Sequence, residues 1–144
     1  VTTLAPGVSR VRVGGFTITS VPDGFAERPL TEGFVRNVPL AQVQAALAEA
    51  KLPTDKVTIP FTPFVVDTGR NKVLLDGGNG TFGAPTSGTL LRSLAAAGLQ
   101  PSQIDTVIIS HFHGDHINGL RSREGQLTFP NAKILVPAPE WAWW

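Results

Sequence analysis

One stretch, Ser110–His116, limits what this chain can fold into more than any other part of the sequence. It holds all three histidines of the chain, with an aspartate between the last two. The residues before it, Thr106–Ile109, are mostly β-branched and apolar, which is typical of a short strand buried on both faces. The histidines are therefore expected at the end of a core strand, at the edge of an open α/β sheet where ligands bind.

The spacing of these side chains predicts a metal site. His111 and His113 are separated by one residue, so in an extended chain both project to the same side, where two imidazoles can share one ion. Gly114 is expected to let the backbone turn sharply, after which Asp115 and His116 can reach a second ion. Two ions about 3.5–4 Å apart can together activate one water molecule. Ordinary surface or core histidines would not all fall in so short a segment.

The HxHxDH motif at His111–His116 resembles the signature of the metallo-β-lactamase-fold hydrolases. Val65–Gly69 and Val73–Gly78 are similar to the strand–turn–strand that precedes this motif, and Leu127–Lys133 is similar to the strand entry that follows it. The opening Pro6–Gly24 is most similar to the methyl parathion hydrolase and quorum-quenching lactonase branch. The resemblance implies an αββα sandwich, an α/β fold that some schemes class as α+β. It also implies two divalent metal ions, with zinc favoured and manganese, iron or cobalt as alternatives.

The resemblance assigns roles to particular residues. Four residues are implied as metal ligands: His111, His113, Asp115 and His116. Asp115 is also implied as the catalytic residue that orients the nucleophile. Asp76, at the end of a predicted strand, is expected to hydrogen-bond a metal-binding histidine or its loop rather than only to cap a glycine-rich turn. Phe82 and Trp144 are weaker candidates for an apolar wall around the substrate, and ordinary loop packing explains Phe82 equally well.

The implied site is incomplete within this chain. A catalytic zinc ion takes three protein ligands and keeps one open position, but the motif offers only two ligands to each ion. In the family the remaining ligands come from the second half of the fold. We therefore expect residues 1–144 to be the N-terminal portion of a single domain, with no internal domain boundary and no activity alone. The missing C-terminal half would be its main partner, and a homodimer is an alternative.

Hydrophobic periodicity predicts the elements around the motif. Two hairpins are expected, one around Gly14–Gly15 and one between the strands 64–66 and 73–75. A helix 87–97, capped by Thr86 or Ser87 and ended by Gly98, would connect strand 72–76 to a parallel strand 105–110. The remaining predictions are a loose lead-in over residues 1–8, a helix capped by Asn37 and ended by Pro53, and a strand 133–136. Asp23 is expected to cap a turn, and the alternative is that it lines the site.

Composition excludes several classes of function. The net charge is +1 and the twelve basic residues are scattered, which does not favour a nucleic-acid partner or an anionic membrane surface. No apolar run approaches the ~18 residues of a membrane span. The chain has no cysteine, which excludes disulfides and thiol catalysis but leaves both a cytoplasmic and a periplasmic location open.

Three functions are consistent with these residues. The favoured one is a hydrolase that uses a metal-activated hydroxide on small ester, lactone or phosphotriester substrates. The first alternative is a phosphodiesterase or RNA-processing nuclease, because His111–Ile117 also resembles the tRNA 3′-end nucleases of the same superfamily. The second alternative is a non-catalytic metal-binding module.

Overall fold

All residues from Val1 to Trp144 are described by a computed structural model, and they form two units. The first unit comprises Val1–Gly24 and Pro60–Trp144, and the second comprises Phe25–Ile59. The expectation that residues 1–144 lack an internal domain boundary stays a prediction. None of the helices reaches the length and apolarity needed to cross a membrane.

The elements follow one another in this order: β1 Thr2–Ala5, β2 Val8–Val13, β3 Phe16–Ser20, β4 Gly24–Pro29, α1 Leu40–Glu49, β5 Lys56–Phe61, β6 Phe64–Asp67, β7 Lys72–Leu75, α2 Leu90–Ala96, β8 Thr106–Ile108, α3 Gly114–Ile117, β9 Lys133–Leu135 and α4 Ala138–Trp143. Single 3-10 turns occur at Pro101–Gln103 and Asn118–Leu120. Seven strands form one mixed sheet in the order β1-β2-β3-β6-β7-β8-β9.

Both predicted hairpins are present in this sheet. Strands β2 and β3 are antiparallel and pair Val13 with Phe16 across Gly14–Gly15, and β6 and β7 pair Phe64 with Leu75. The loose lead-in is wrong, because residues 2–5 form β1 along the free edge of β2. Local sequence gave little sign of β1, since this strand has no apolar alternation and is mostly exposed.

The predicted β-α-β unit is also confirmed. Strand β7 is parallel to β8, with Leu74 opposite Val107, and α2 lies between them in sequence. Gly98 ends the helix with a φ of 74°, as expected of a glycine in the left-handed region. The predicted cap is wrong, because the N-cap position is Thr89 and its side chain makes no capping bond. Asp23 supplies the bond instead, by accepting from the Leu90 amide at 2.9 Å.

The two faces of the sheet differ in exposure. On one face Val65, Leu74 and Val107 lie side by side and each is at most 1% exposed, because α2 and the segments flanking it cover them. On the other face Ile108 is paired with Leu135, and these apolar side chains are 40% and 43% exposed. The core of the first unit therefore lies on a single side of the sheet.

The second unit holds a two-stranded sheet of β4 and β5 together with α1. Lys56 forms an ion pair with Glu27 at 2.7 Å, and this bond raises the pKa of the lysine above its ordinary value. The predicted helix is confirmed as α1, but Asn37 does not cap it. The N-cap is Pro39, and Glu32 accepts a bond from the Leu40 amide at 3.3 Å.

Candidate metal centre

The motif begins where β8 ends. After Ile108 the chain leaves the sheet, and the one-turn helix α3 starts directly after His113. Gly114 does not provide the sharp turn that was predicted, because its φ is not positive and it is simply the first residue of α3. A Cβ atom there would lie 2.6 Å from Nδ2 of Asn118, so the glycine makes room for that side chain.

This backbone path gathers the three histidine rings. The ring centroids of His111 and His113 are 4.6 Å apart, and those of His111 and His116 are 4.0 Å apart. His113 is exposed and the other two rings are partly buried, so solutes can reach the cluster. The predicted placement of His111 and His113 on one side is consistent with this geometry, and their sharing of an ion stays a prediction.

Asp76 joins the cluster from the neighbouring strand. It follows β7 directly, and its Oδ1 accepts a bond from the Ser110 amide at 2.8 Å. Its Oδ2 accepts from the Ser110 hydroxyl at 3.1 Å and lies 2.9 Å from Nδ1 of His116. The residue has a φ of 66°, a left-handed conformation that aspartate tolerates better than most residues. Strands β7 and β8 are parallel, so their carboxyl ends bring Asp76 and the motif to one sheet edge.

His116 lies between two carboxylates. Asp76 is within hydrogen-bond distance of its Nδ1, and Oδ2 of Asp115 is 3.1 Å from its Nε2. When a neutral ring donates its one hydrogen from Nδ1 to Asp76, the Nε2 lone pair faces another acceptor in Asp115. Two facing acceptors repel each other unless a cation or a proton lies between them. Metal-binding histidines commonly donate their second ring N–H to a carboxylate in this way.

The donor set is chemically suited to divalent ions such as zinc, since it combines imidazole nitrogens with a carboxylate. Two ligands of one tetrahedral zinc ion lie about 3.3 Å apart when each is ~2.0–2.1 Å from the metal. The 3.1 Å between Asp115 Oδ2 and His116 Nε2 is close to that spacing. No group of three or more acidic or histidine side chains in the chain has the arrangement of a complete metal site. The Asp115–His116 pair thus fits part of a metal coordination shell, and the chain does not present a closed set of ligands.

Ser110 is a member of the cluster that sequence reasoning missed. Its hydroxyl is 3.1 Å from Nδ1 of His111 and 3.2 Å from Nδ1 of His116, in addition to its contact with Asp76. A single serine before a motif carries no distinctive pattern, and only its position immediately before His111 could have drawn attention to it. The serine connects two of the rings to the supporting carboxylate.

Glu140 is the second residue that was missed. Its Oε2 accepts a bond from the Phe112 amide at 2.8 Å and one from the Trp144 indole at 3.2 Å. The ring of Phe112 also makes an edge contact with Trp141, at 6.4 Å between centroids. Helix α4 therefore fastens the backbone of the motif at Phe112. Glu140 lies 28 positions from Phe112, so no local pattern could have revealed this contact.

The two candidates for a substrate wall are both exposed. The ring of Phe82 is covered by the Arg123 guanidinium, which lies 4.9 Å from its centroid and also donates to the Thr81 carbonyl. Trp144 is 72% exposed and contacts Glu140. Neither contact is with a histidine of the cluster, so a role in substrate binding stays a prediction for both residues.

A match to a protein-family model agrees with this site. Residues 62–141 match the description of the metallo-beta-lactamase superfamily. The chain belongs to the metallo-beta-lactamase superfamily. The matched range includes Asp76 and the whole of His111–His116, so the resemblance seen in the sequence is confirmed. Members of this superfamily are metal-dependent hydrolases.

Solved structures are similar to nearly the whole chain. The dizinc quorum-quenching lactonase AidC, solved in complex with a product, is 27% identical with a TM-score of 0.93, over 96% of this chain and 47% of that chain. The hydrolase AbOPH of the beta lactamase superfamily is 28% identical with a TM-score of 0.85, over the same shares of the two chains. This chain therefore spans about half the length of these solved relatives. The predicted fold and the resemblance to quorum-quenching lactonases are confirmed.

A curated relative points to a second branch of the superfamily. Ribonuclease Z of Pyrococcus furiosus is 38% identical over 68 residues, which are 47% of this chain and 19% of that protein. A similarity to a ribonuclease is thus also found by comparison.

Proposed function

We propose that this chain contributes part of the active site of a metal-dependent hydrolase that acts on small lactones, esters or phosphotriesters. The arrangement of His116 between Asp76 and Asp115 carries the proposal, because it presents one ring nitrogen to a cation and holds the other. The structural likeness to a quorum-quenching lactonase over 96% of this chain supports a small-molecule substrate.

Each residue has a role in the proposal. The metal ligands are His111, His113, Asp115 and His116. They bind two divalent ions, and zinc is the simplest choice. When bound, such ions lower the pKa of a coordinated water to about 7 and polarise the oxygen of the scissile bond. Asp115 also orients the attacking nucleophile. Asp76 and Ser110 hold the rings of His116 and His111 in the required orientation.

The exposed face of the sheet supports a further part of the proposal. Phe64 and Ile108 lie on this face with Leu135, and they are 39%, 40% and 43% exposed. A sheet normally buries its apolar face against another layer. We propose that the second half of the αββα sandwich covers this row and contributes the remaining metal ligands.

A ribonuclease activity is the second candidate. The 38% identity to ribonuclease Z over 68 residues favours it. A polyanionic substrate would bind with strong salt dependence, since each phosphate contact releases counterions. The net charge of +1 and the scattered basic residues give no such surface in this chain.

The test is a substrate panel assayed with the full-length protein that contains this chain, loaded with zinc. The panel comprises an N-acyl homoserine lactone, an aryl ester, an aryl phosphotriester and a pre-tRNA. The proposal expects turnover of the lactone, the ester or the phosphotriester, and its loss in Asp115→Asn. Turnover of the pre-tRNA alone would favour the nuclease. Tight metal without any hydrolysis would favour the non-catalytic module.

A further inference from the structure

Asp23 is a buried carboxylate that has no place in the metal centre. It is fully buried, and its partners are three N–H groups. Oδ2 accepts from the backbone amide of Asn79 at 2.6 Å and from its side-chain amide at 2.9 Å, and Oδ1 accepts from the Leu90 amide at 2.9 Å. The predicted role in a turn is wrong, because the carboxylate bonds to residues far away in the sequence. A buried charge is costly unless it is fully hydrogen-bonded, so the carboxylate depends on these N–H donors for its stability.

The partners of Asp23 show what it holds. Asn79 belongs to the loop that begins with Asp76, and the opposite side of this loop bonds to the metal motif. The Gly77 amide donates to the His116 carbonyl at 2.7 Å, and the Gly119 amide donates to the Gly78 carbonyl at 2.8 Å. The loop therefore lies between the Asp23 carboxylate and the segment that carries His116.

Two glycines allow the loop to approach closely both the Asp23 carboxylate and the segment after His116. At Gly78, whose φ is 74°, an added Cβ would lie 2.9 Å from Cγ of Asp23. At Gly119 an added Cβ would collide with the Gly77 carbonyl. Backbone segments in such direct contact transmit a displacement of one segment to the other. A shift of the loop at Asn79 is thus expected to move Asp76 relative to His116.

We propose that Asp23 is a positioning residue of the metal centre. By fixing Asn79, it holds the loop in the one position in which the Asp76 carboxylate meets Nδ1 of His116 and the Ser110 hydroxyl. Asp23 does not touch the metal or the substrate in this proposal. The inference rests on the proposed function, since it concerns the geometry of the same ligands.

Asp23→Asn is the perturbation that isolates the effect. Asparagine has nearly the same shape but offers one acceptor oxygen and one NH2 group with two donor hydrogens. Its amide must face either the donors of Asn79 or the Leu90 amide, so at least one buried N–H loses its acceptor. Residues that orient a metal ligand through another group typically change metal affinity by about 10–100-fold when they are replaced, and we expect an effect in that range.

Ser93→Ala is the matched control. Ser93 is also buried, and its hydroxyl donates to the Pro22 carbonyl at 2.6 Å, one residue from Asp23. This bond fastens α2 to the same strand end, but it does not reach the loop at Asn79. A loss that comes only from general destabilisation should therefore appear in both variants.

Two measurements decide the proposal in the full-length protein. The first is amide hydrogen exchange, in which we expect Gly77 and Gly119 to exchange at least about tenfold faster in Asp23→Asn, while the Ile109 amide, bonded to Leu135, changes little. The second is zinc affinity by competition with a chelator. Ser93→Ala should leave both readings at the parent level.

The outcomes are distinguishable. Asp23→Ala is included because it removes the acceptors of both Asn79 and Leu90. Unchanged exchange at Gly77 and Gly119 in both Asp23→Asn and Asp23→Ala, or equal changes in Ser93→Ala, would overturn the positioning role whatever the metal does. Faster exchange at these glycines with unchanged zinc affinity would also overturn it, because the loop would then not govern the ligands. A parent protein that binds no zinc would refute the proposed function and leave the exchange result to judge the anchoring of the loop.

Discussion

Asp76→Asn is the sharpest test of how the centre is supported. Asparagine keeps the shape of the side chain and is tolerated at the φ of 66° that this position adopts. Its oxygen can still accept from the Ser110 amide. Its NH2 group, however, then faces Nδ1 of His116, where the carboxylate oxygen lies 2.9 Å away in the parent. Nδ1 of His116 must then accept a hydrogen bond from this NH2 group. The ring hydrogen therefore moves to Nε2, which is the nitrogen that would bind the metal.

The magnitude follows from this change of tautomer. Loss of an orienting partner of a metal-binding histidine costs about 10–100-fold in affinity, or roughly 1.4–2.7 kcal/mol. Folding stability should change by less than about 1 kcal/mol, because the bond to Ser110 is retained. Asp76→Ala should bind metal as weakly, and it should lose about 1–2 kcal/mol more in stability, since alanine is strained in the left-handed region.

The assay is zinc competition combined with thermal unfolding of the metal-free protein, for the parent, Asp76→Asn and Asp76→Ala. Asp76→Gly serves as a control, because it removes the carboxylate without backbone strain. The glycine variant should match the alanine variant in affinity and exceed it in stability. The reasoning is refuted if Asp76→Asn binds zinc as tightly as the parent does, since the carboxylate would then only be a turn residue.

Three further predictions concern other positions. Asp115→Asn should retain one ion, weaken the other and largely abolish hydrolysis, and two tightly held ions with near-normal turnover would contradict it. Gly119→Ala should cost about 1–3 kcal/mol or more in unfolding free energy, because its Cβ would meet the Gly77 carbonyl; an unchanged melting temperature would contradict it. The Gly69 amide lowers the pKa of the Asp67 carboxyl from its ordinary 3.8, so Asp67→Asn should destabilise the protein above that pH by well under about 1 kcal/mol. That difference should disappear as the pH falls through the lowered pKa, and a difference that does not shrink as the pH falls below 3.8 would argue against this origin.

Local patterns predicted the parts of the fold that depend on neighbouring residues. The two glycines between Val13 and Phe16 gave the first hairpin, because alternating apolar residues on either side of such a pair are typical of one. Gly98 predicted the end of α2, because a glycine commonly adopts the left-handed conformation directly after a helix. The metal motif was visible because its donors lie within six consecutive positions, so that no long-range contact is needed to bring them together.

Two contacts that the sequence did not reveal depend on distant residues. The cap of α2 was assigned to Thr86 or Ser87, but it comes from Asp23, which is 67 positions from Leu90. Glu140 reaches the Phe112 amide over 28 positions. Such a partner has no local signal, because the same aspartate or glutamate in a loop is equally compatible with solvent exposure.

The same distinction explains how the centre is constructed. The short motif provides the donor atoms, but α3 is a single turn with no buried residue, and so short a helix is not stable by itself. Contacts with other parts of the chain must therefore fix its orientation. The structure shows three of them: Asp76 at the ring of His116, the loop glycines at the backbone of His116, and Glu140 at the Phe112 amide. A transplanted motif without these contacts would carry the same ligands but would not hold them in place. Under the proposed function, tight metal binding would therefore depend on the sheet edge as a whole, and substitutions remote from the histidines are expected to weaken it.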